Sequence, residues 1–195
     1  MRINESASNP MLVGAMQLLK AENTPENQKL LTTELLAATL LAPARIFPDP
    51  IRNEDGTLSV PEKAQIQFPM LTAADGKKFF VAYTDEASMK KNDGDVTAPT
   101  PEEFREYHMS INIREFFRML VTRDPAGNEN PCSGVVINPF NENIVVSKQM
   151  ALAVMQQEME LAKKRIENGQ EGAVARRPEA GNIIRFPGIP RPDED

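Results

Sequence analysis

Cysteine and histidine are almost missing from this chain of 195 residues, which contains one of each. A single cysteine excludes an internal disulfide framework and any metal site built from several cysteines. No apolar run approaches the roughly 18 residues of a membrane span. The first residues also lack the charged-then-apolar order of a secretion signal. We therefore expect a cytoplasmic protein that does not insert into a membrane.

Positive charge is in deficit, because 22 basic side chains stand against 28 acidic ones and give a net charge of −6. A surface that binds nucleic acid is normally basic, so we expect no nucleic-acid partner. The ten glycines occur singly and form no loop that cradles phosphate, so no cofactor is expected. The acidic turns at 53–56 and 92–95 lack the ligand spacing of a calcium loop, and no metal site is expected.

The chain does contain helical periodicity, in four stretches. Helices are predicted at 10–21 and 25–42, each with a proline at its first position, and Pro43 is expected to stop the second. A third, at 112–123, has apolar residues at i, i+3, i+4, i+7 and i+8, and a fourth is predicted at 148–168. The predicted N-terminal caps are Asn9, Thr24, Asn112 and Ser147.

Period-two alternation and short apolar runs predict strands between these helices. The result is an α/β (α+β) fold, with a mixed sheet of about five strands flanked by helices. The predicted strands lie around Ile46 and at 66–70, 78–83, 107–111, 134–137 and 144–146. The expected buried residues are Leu31, Leu35, Phe80, Phe117, Leu120, Val136 and Met155.

Three short motifs follow one another within this pattern. An Asp75-Gly76 turn precedes a strand that ends in Tyr83-Thr84-Asp85, and a later strand runs from Gly134 through three apolar residues to Asn138-Pro139. This order, set between an apolar helix pair and a closing helix, resembles the N-terminal domain of the enhanced serine sensitivity protein B (SseB) family of bacteria. The resemblance extends over roughly Met11 to Glu167.

The resemblance implies an α/β domain, which we place at residues 8–169, in a bacterial cytoplasmic setting. It supplies no catalytic residues, because the family name records a growth phenotype and not a reaction. The chain departs from the family at Tyr83-Thr84-Asp85, where members often have Phe-Thr-Ser. Larger members carry a second domain, whereas a Pro- and Gly-rich tail at 170–195 follows the domain here.

Candidates for catalysis are few. His108 is predicted on a strand face with Glu106 and Ser110, which is typical of a solvated residue. Cys132 leads into a buried strand, where a free cysteine is typical of the core. A Cys132–His108 dyad would need the fold to bring the two together, and no local signature indicates one. We therefore expect no catalytic residue and a non-enzymatic protein, and the alternative is a small cytoplasmic enzyme that uses Cys132 or an acidic pocket.

The tail contains an apolar island, Ile183-Ile184 and Phe186, among prolines and glycines that cannot build a core of their own. A short extended segment of this kind suits docking on a sheet edge or in an apolar groove. Ile183, Ile184 and Phe186 are therefore the predicted partner-binding residues. The sequence leaves three possible binding partners for these residues: the chain's own domain, a second copy in a homo-oligomer, and another protein.

These observations together predict a protein-interaction or regulatory module whose protein partner is unknown. A second alternative is a secretion-associated factor, because an unrelated protein of a secretion translocon shares the abbreviation SseB. The missing secretion signal does not favour that alternative.

Overall fold

The described part of the chain contains five α-helices and ten strands. The computed structural model describes residues 2–93, 101–124, 126–139 and 141–167. The helices are α1 (Pro10–Ala21), α2 (Pro25–Ala37), α3 (Glu86–Asp93), α4 (Ile113–Val121) and α5 (Lys148–Glu167). The strands are β1 (Arg2–Ile3), β2 (Thr39–Phe47), β3 (Ile51–Arg52), β4 (Leu58–Ser59), β5 (Gln65–Gln67), β6 (Met70–Thr72), β7 (Lys78–Ala82), β8 (Tyr107–Asn112), β9 (Cys132–Ile137) and β10 (Ile144–Ser147).

All four predicted long helices are present, and three of their four predicted caps are confirmed. The side chains of Thr24, Asn112 and Ser147 each accept a hydrogen bond from a backbone N–H in the first turn of α2, α4 and α5. Asn9 is the exception, because its side chain does not cap α1. It donates instead to the carbonyl oxygens of Thr39 and Thr84, at 2.7 Å each. Asn9 therefore fastens the start of α1 to β2 and to the residues that follow β7.

The second helix ends at Ala37, so its predicted extension to residue 42 is wrong. The next residues belong to β2, which pairs antiparallel with β8 and sets Leu40 opposite Ile111. An apolar pair such as Leu40-Leu41 suits a buried strand as well as a helix, and here the pairing partner decides. The strand that is predicted around Ile46 is confirmed, but it begins earlier than expected.

The described strands form two four-stranded sheets and a separate hairpin. The first sheet has the order β1-β8-β2-β5 and is antiparallel, whereas the second has the order β10-β9-β7-β6. In the second sheet β7 and β9 run parallel and the other neighbours run antiparallel. The α+β fold and the mixed sheet are therefore confirmed, although two sheets stand where one of about five strands is predicted. β3 and β4 form the hairpin.

The two sheets are joined where β2 and β7 meet and then diverge. Backbone hydrogen bonds of 2.8 Å run in both directions between Leu41 and Tyr83. Beyond this bridge the continuous segment 65–72 fills the gap, pairing first with β2 as β5 and then with β7 as β6. Pro69 is buried between these two strands. Because proline has no N–H to donate, it suits the point at which the segment changes sheets.

Apolar side chains from both sheets and from α1, α2, α4 and α5 form one large core. A second, smaller cluster consists of Leu41, Val81, Tyr83 and Val136. Arg114 on α4 strengthens this packing by pairing with Glu158 on α5 (Nη2–Oε1 2.6 Å) and donating to the carbonyl oxygen of Leu36 at the end of α2. Met155 is only half-buried, so its prediction as a core residue is wrong. The other expected core residues, Leu31, Leu35, Phe80, Phe117, Leu120 and Val136, are buried.

Candidate functional site

A groove with a volume of about 500 Å³ lies beside α4. Its floor consists of Ile66, Phe68 and Phe80, and Met119 of α4 contributes to one wall. The loop that leads from α4 to β9 also lines the groove. This volume falls within the range of roughly 300–1,000 Å³ that is usual for ligand pockets. The groove brings together three segments that are far apart in the sequence.

Aromatic rings give the groove a firm floor. Phe68 meets Phe80 edge to face, with the ring centroids 6.3 Å apart, and lies 6.3 Å from the ring of Phe116. Phe80 and Phe116 are 5.9 Å apart, so all three rings contact one another. Phe80 and Phe116 are buried, whereas Phe68 is half-buried and presents part of its ring to the groove. A packed aromatic surface of this kind has little conformational freedom to lose when a ligand binds.

The rim of the groove is polar, and among its described charged side chains all but Asp124 form ion pairs; Asp124 instead accepts hydrogen bonds from Asn128. Glu115 pairs with Arg118 along α4, and Glu129 accepts from Arg123 at 3.1 Å and from Lys148 at 3.2 Å. The hydrogen bond from Lys148, helped by the charges of Lys148 and Arg123, lowers the pKa of Glu129 below its ordinary value. An apolar floor inside a polar rim of mostly paired charges is the arrangement of many protein-binding surfaces.

A buried polar cluster, the second candidate, lies at the C-terminal ends of β7 and β9. The Asn138 side chain accepts from the backbone N of Thr84 at 3.0 Å and donates to Thr84 Oγ1 at 2.9 Å. It also donates to Glu142 Oε2 at 2.7 Å, while Thr84 Oγ1 donates to Asp85 Oδ2 at 2.7 Å. Thr84 and Asn138 are fully buried. Asn138 adopts a φ of +47°, a left-handed conformation that asparagine tolerates better than most residues.

This cluster connects the two motifs Tyr83-Thr84-Asp85 and Asn138-Pro139. The strands that precede them, β7 and β9, are parallel neighbours. The Asn138 side chain, after β9, accepts a hydrogen bond from the backbone N of Thr84, after β7. Asp85 also accepts from the backbone N of Ser88 at 2.7 Å and so caps α3. Partial burial raises the pKa of Asp85, but the hydrogen bonds from Ser88 and Thr84 outweigh it and leave the pKa below its ordinary value. The cluster satisfies its own donors and acceptors, and it is a structural joint.

The structure does not bring Cys132 and His108 together. His108 lies on β8 in the first sheet, with Nε2 3.3 Å from the carbonyl oxygen of Glu5. Cys132 begins β9 in the second sheet, and β2 and β7 lie between the two strands. Burial raises the pKa of the Cys132 thiol from 9.0 to about 11, against the opposing effect of the Lys78 charge. A thiol with this pKa stays protonated near neutral pH, whereas a catalytic cysteine needs its thiolate.

Metal-binding clusters and membrane-spanning helices are both missing from the described residues. Among them, no group of three or more His, Cys, Asp or Glu side chains is placed to hold a metal ion. No helix in the described ranges combines the length and apolar character needed to cross a membrane. The predicted partner-binding residues Ile183, Ile184 and Phe186 lie outside the part of the chain that the structure describes.

The groove is a feature that the sequence interpretation missed. Ile66 and Phe68 show the alternation of a strand face, and this alternation is the one signal that they share an apolar surface. The sequence does not show that Met119 lies beside them, because Met119 belongs to a helix about fifty positions later.

Comparison with known proteins identifies a family. A family model described as the SseB protein N-terminal domain matches residues 12–153. Comparison with curated proteins and with solved structures gives no match. The matched range runs from α1 into α5, and it includes the polar cluster and all the described residues that line the groove. The chain therefore belongs to the SseB family, through an SseB protein N-terminal domain.

Proposed function

We propose that this domain is a non-enzymatic protein-binding module, and that its groove receives a short apolar segment of a partner protein. The observation that carries the proposal is the apolar floor of Ile66, Phe68 and Phe80 inside a rim of paired charges. A rim whose described charges are mostly paired offers little net charge to a small ionic substrate, whereas it suits the side chains of a polypeptide. The proposed setting is the bacterial cytoplasm, as the family resemblance implies.

The position of the groove at a sheet edge favours an extended segment. β5 is the last strand of the first sheet in the described residues, and Ile66 in this strand lines the groove. An extended chain that lies along such an edge gains main-chain hydrogen bonds while its alternate side chains enter pockets. A volume of about 500 Å³ suits two or three apolar side chains, not a whole helix.

The state of the chain's single cysteine supports binding rather than catalysis. Cys132 is buried, its thiol has a raised pKa, and β2 and β7 separate its strand from that of His108. An enzyme that depends on this cysteine would need an exposed thiol of lowered pKa. The enzyme alternative therefore has no support in the geometry around Cys132.

Two groove variants and one matched control test the proposal. Met119→Glu and Thr122→Arg each place a charge in the lining of the groove, whereas Met11→Glu changes a methionine on α1 that is 63% exposed. A protein captured by the tagged domain from its host is purified and titrated calorimetrically against all three variants. We expect its Kd to increase at least about tenfold for both groove variants, since the charge must be desolvated in an apolar site.

The Met11→Glu control should bind like the unchanged protein. Circular dichroism and thermal unfolding verify that every variant is folded. Equal affinity of the captured protein for the unchanged domain, the control and both groove variants would contradict a binding role for the groove.

A further inference from the structure

We propose that residues 182–187 of this same chain dock in the groove when no partner is bound. The proposal rests on the proposed function, because it names the competitor for the groove that is described above. Three points of chemistry and geometry carry it: the side-chain pattern of the segment, its reach, and the match between its apolar face and the floor.

The segment has one apolar face when it is extended. Side chains alternate in direction along an extended chain, so Ile184 and Phe186 share one face while Ile183 and Arg185 share the other. With Ile184 and Phe186 turned toward the groove, the charge of Arg185 stays in solvent or at the polar rim. Pro187 lacks an N–H, so main-chain pairing along an edge ends at that residue.

The reach of the chain is sufficient. α5 has 20 residues and is therefore about 30 Å long. Its first residue, Lys148, binds Glu129 on the rim of the groove at 3.2 Å, so its last residue, Glu167, lies about one helix length from the rim. Ile183 follows Glu167 by 16 positions, which span roughly 55 Å when fully extended. A random coil of this length has a typical end-to-end distance of about 20–24 Å. The separation of about one helix length, roughly 30 Å, lies between this value and the full reach.

A linker that is able to span this distance gives the attached segment an effective concentration of up to about millimolar. Even a weak fit between two apolar side chains and the floor of Phe68 and Phe80 is then enough to fill the groove. The partner would have to displace the segment. The apparent affinity of the partner would be reduced in proportion to the fraction of molecules whose groove is free.

The absence of tryptophan from the chain allows a direct test in the full-length protein. In Phe186→Trp the single indole should emit at shorter wavelength than in urea and should resist quenching by acrylamide. In the matched control Ile183→Trp, the indole lies on the opposite face of the segment and should emit as in water. Adding Met119→Glu to Phe186→Trp should return its emission to the solvent-exposed value. Solvent-like emission from Phe186→Trp alone would overturn the proposal.

A dilution series distinguishes the chain's own segment from that of a second copy. Burial of the indole should persist on dilution at monomeric mass, whereas loss of the blue-shifted emission together with a fall from dimer to monomer would overturn self-docking.

Deleting residues 181–195 should increase the affinity for the captured partner by about tenfold if the segment occupies the groove in nine molecules out of ten. An exposed Phe186→Trp indole combined with partner binding that still depends on Met119 would refute this inference and leave the proposed function intact. A buried indole with partner binding that is indifferent to Met119 and Thr122 would refute the proposed function.

Discussion

Cys132 illustrates how burial sets the chemistry of one side chain. The residue is 2% exposed, and the pKa of its thiol is raised to about 11. Near pH 7 the thiolate fraction is therefore about a hundredfold lower than that of a thiol at the ordinary value. We expect iodoacetamide to alkylate the native protein at least about a hundredfold more slowly than the urea-denatured protein, as followed by intact mass. Rapid alkylation of the folded protein would instead favour the enzyme alternative.

Phe117 illustrates how the burial of one side chain contributes to the stability of the core. Its side chain is fully buried in the core, on the helix whose apolar spacing predicts that position from sequence. We expect Phe117→Ala to lower the free energy of unfolding by about 3–5 kcal/mol, since it removes the ring and leaves a cavity. Urea denaturation measures the loss. Arg118→Ala, one position further at an exposed site, is the control and should change stability by less than about 0.5 kcal/mol.

Among the secondary-structure elements, the joint between β7 and β9 depends on Asn138. Asn138→Ala leaves the buried backbone N of Thr84 without its acceptor and forces alanine into a left-handed conformation. We expect a loss of about 2–4 kcal/mol in the free energy of unfolding. Asn138→Gly loses the same hydrogen bonds without the strain, so chemical denaturation should show a smaller loss. If both variants are as stable as the unchanged protein, the joint contributes nothing.

The start of α3 gives a pH-dependent prediction at Asp85. Its carboxylate caps the helix, and its pKa in the folded protein lies below the ordinary 3.8. A lowered folded-state pKa stabilises the protein above the unfolded value, and that stabilisation is lost as the pH falls through the folded value. We expect Asp85→Ala to cost about 0.5–2 kcal/mol near neutral pH. The difference from the unchanged protein should shrink as the pH is lowered below 3.8 in urea titrations.

Asp85→Asn is the control for that titration. It retains an oxygen that can accept from the backbone N of Ser88, but it has no charge to lose. Its stability relative to Asp85→Ala should therefore stay nearly constant with pH. A cost of Asp85→Ala that grows on acidification would contradict the assignment of the cap to the charged form.

Most helices and strands are predictable from the sequence, because their apolar periodicity coincides with the packing that they find. The boundary between α2 and β2 is not, since Leu40 and Leu41 are apolar enough for either structure. Pro43 misleads further, because a proline normally ends a helix and is rare inside a sheet. The N–H of Leu41 points to β7, so by alternation the missing N–H of Pro43 falls on the same side. On that side, β2 pairs with Tyr83 at Leu41 and with Gln67 of β5 at Arg45, but among the described residues it has no pairing partner at Pro43. The proline therefore costs the sheet no hydrogen bond.

The groove and the polar cluster were less accessible to sequence reasoning for a different reason. Each is formed by contacts across long sequence separations, such as Thr84 with Asn138 and Phe68 with Phe116. Periodicity within one element indicates which face is buried, but it does not indicate which other element covers that face. The family resemblance named both motifs of the cluster without explaining their connection, which is a pair of hydrogen bonds between two parallel strands.

For the molecule as a whole, the division into two sheets does not divide the core. Residues of both sheets belong to the larger apolar cluster. The smaller cluster, with Leu41, Tyr83 and Val136, likewise joins β2 of the first sheet to the second sheet. We expect both sheets to unfold together, with one transition by circular dichroism. Native-state hydrogen exchange should give the amides of Ile111 and Val136, one from each sheet, opening free energies within about 1 kcal/mol of each other. Protection that persists in one sheet after the other has exchanged would contradict this expectation.

The β3–β4 hairpin pairs with neither four-stranded sheet, although Arg52 and residues 56–58 line a second cavity together with residues 3–5. Its exposed turn makes the hairpin useful for engineering. Its turn, Asn53 to Thr57, is exposed, and its hydrogen bonds are made within the hairpin itself. An inserted epitope or an attached dye at Glu54 would disturb neither sheet and no residue that lines the groove, because exposed loop tips with local bonding tolerate insertion. Glu54 is therefore the position from which the domain can be immobilised on a sensor surface with its groove left accessible.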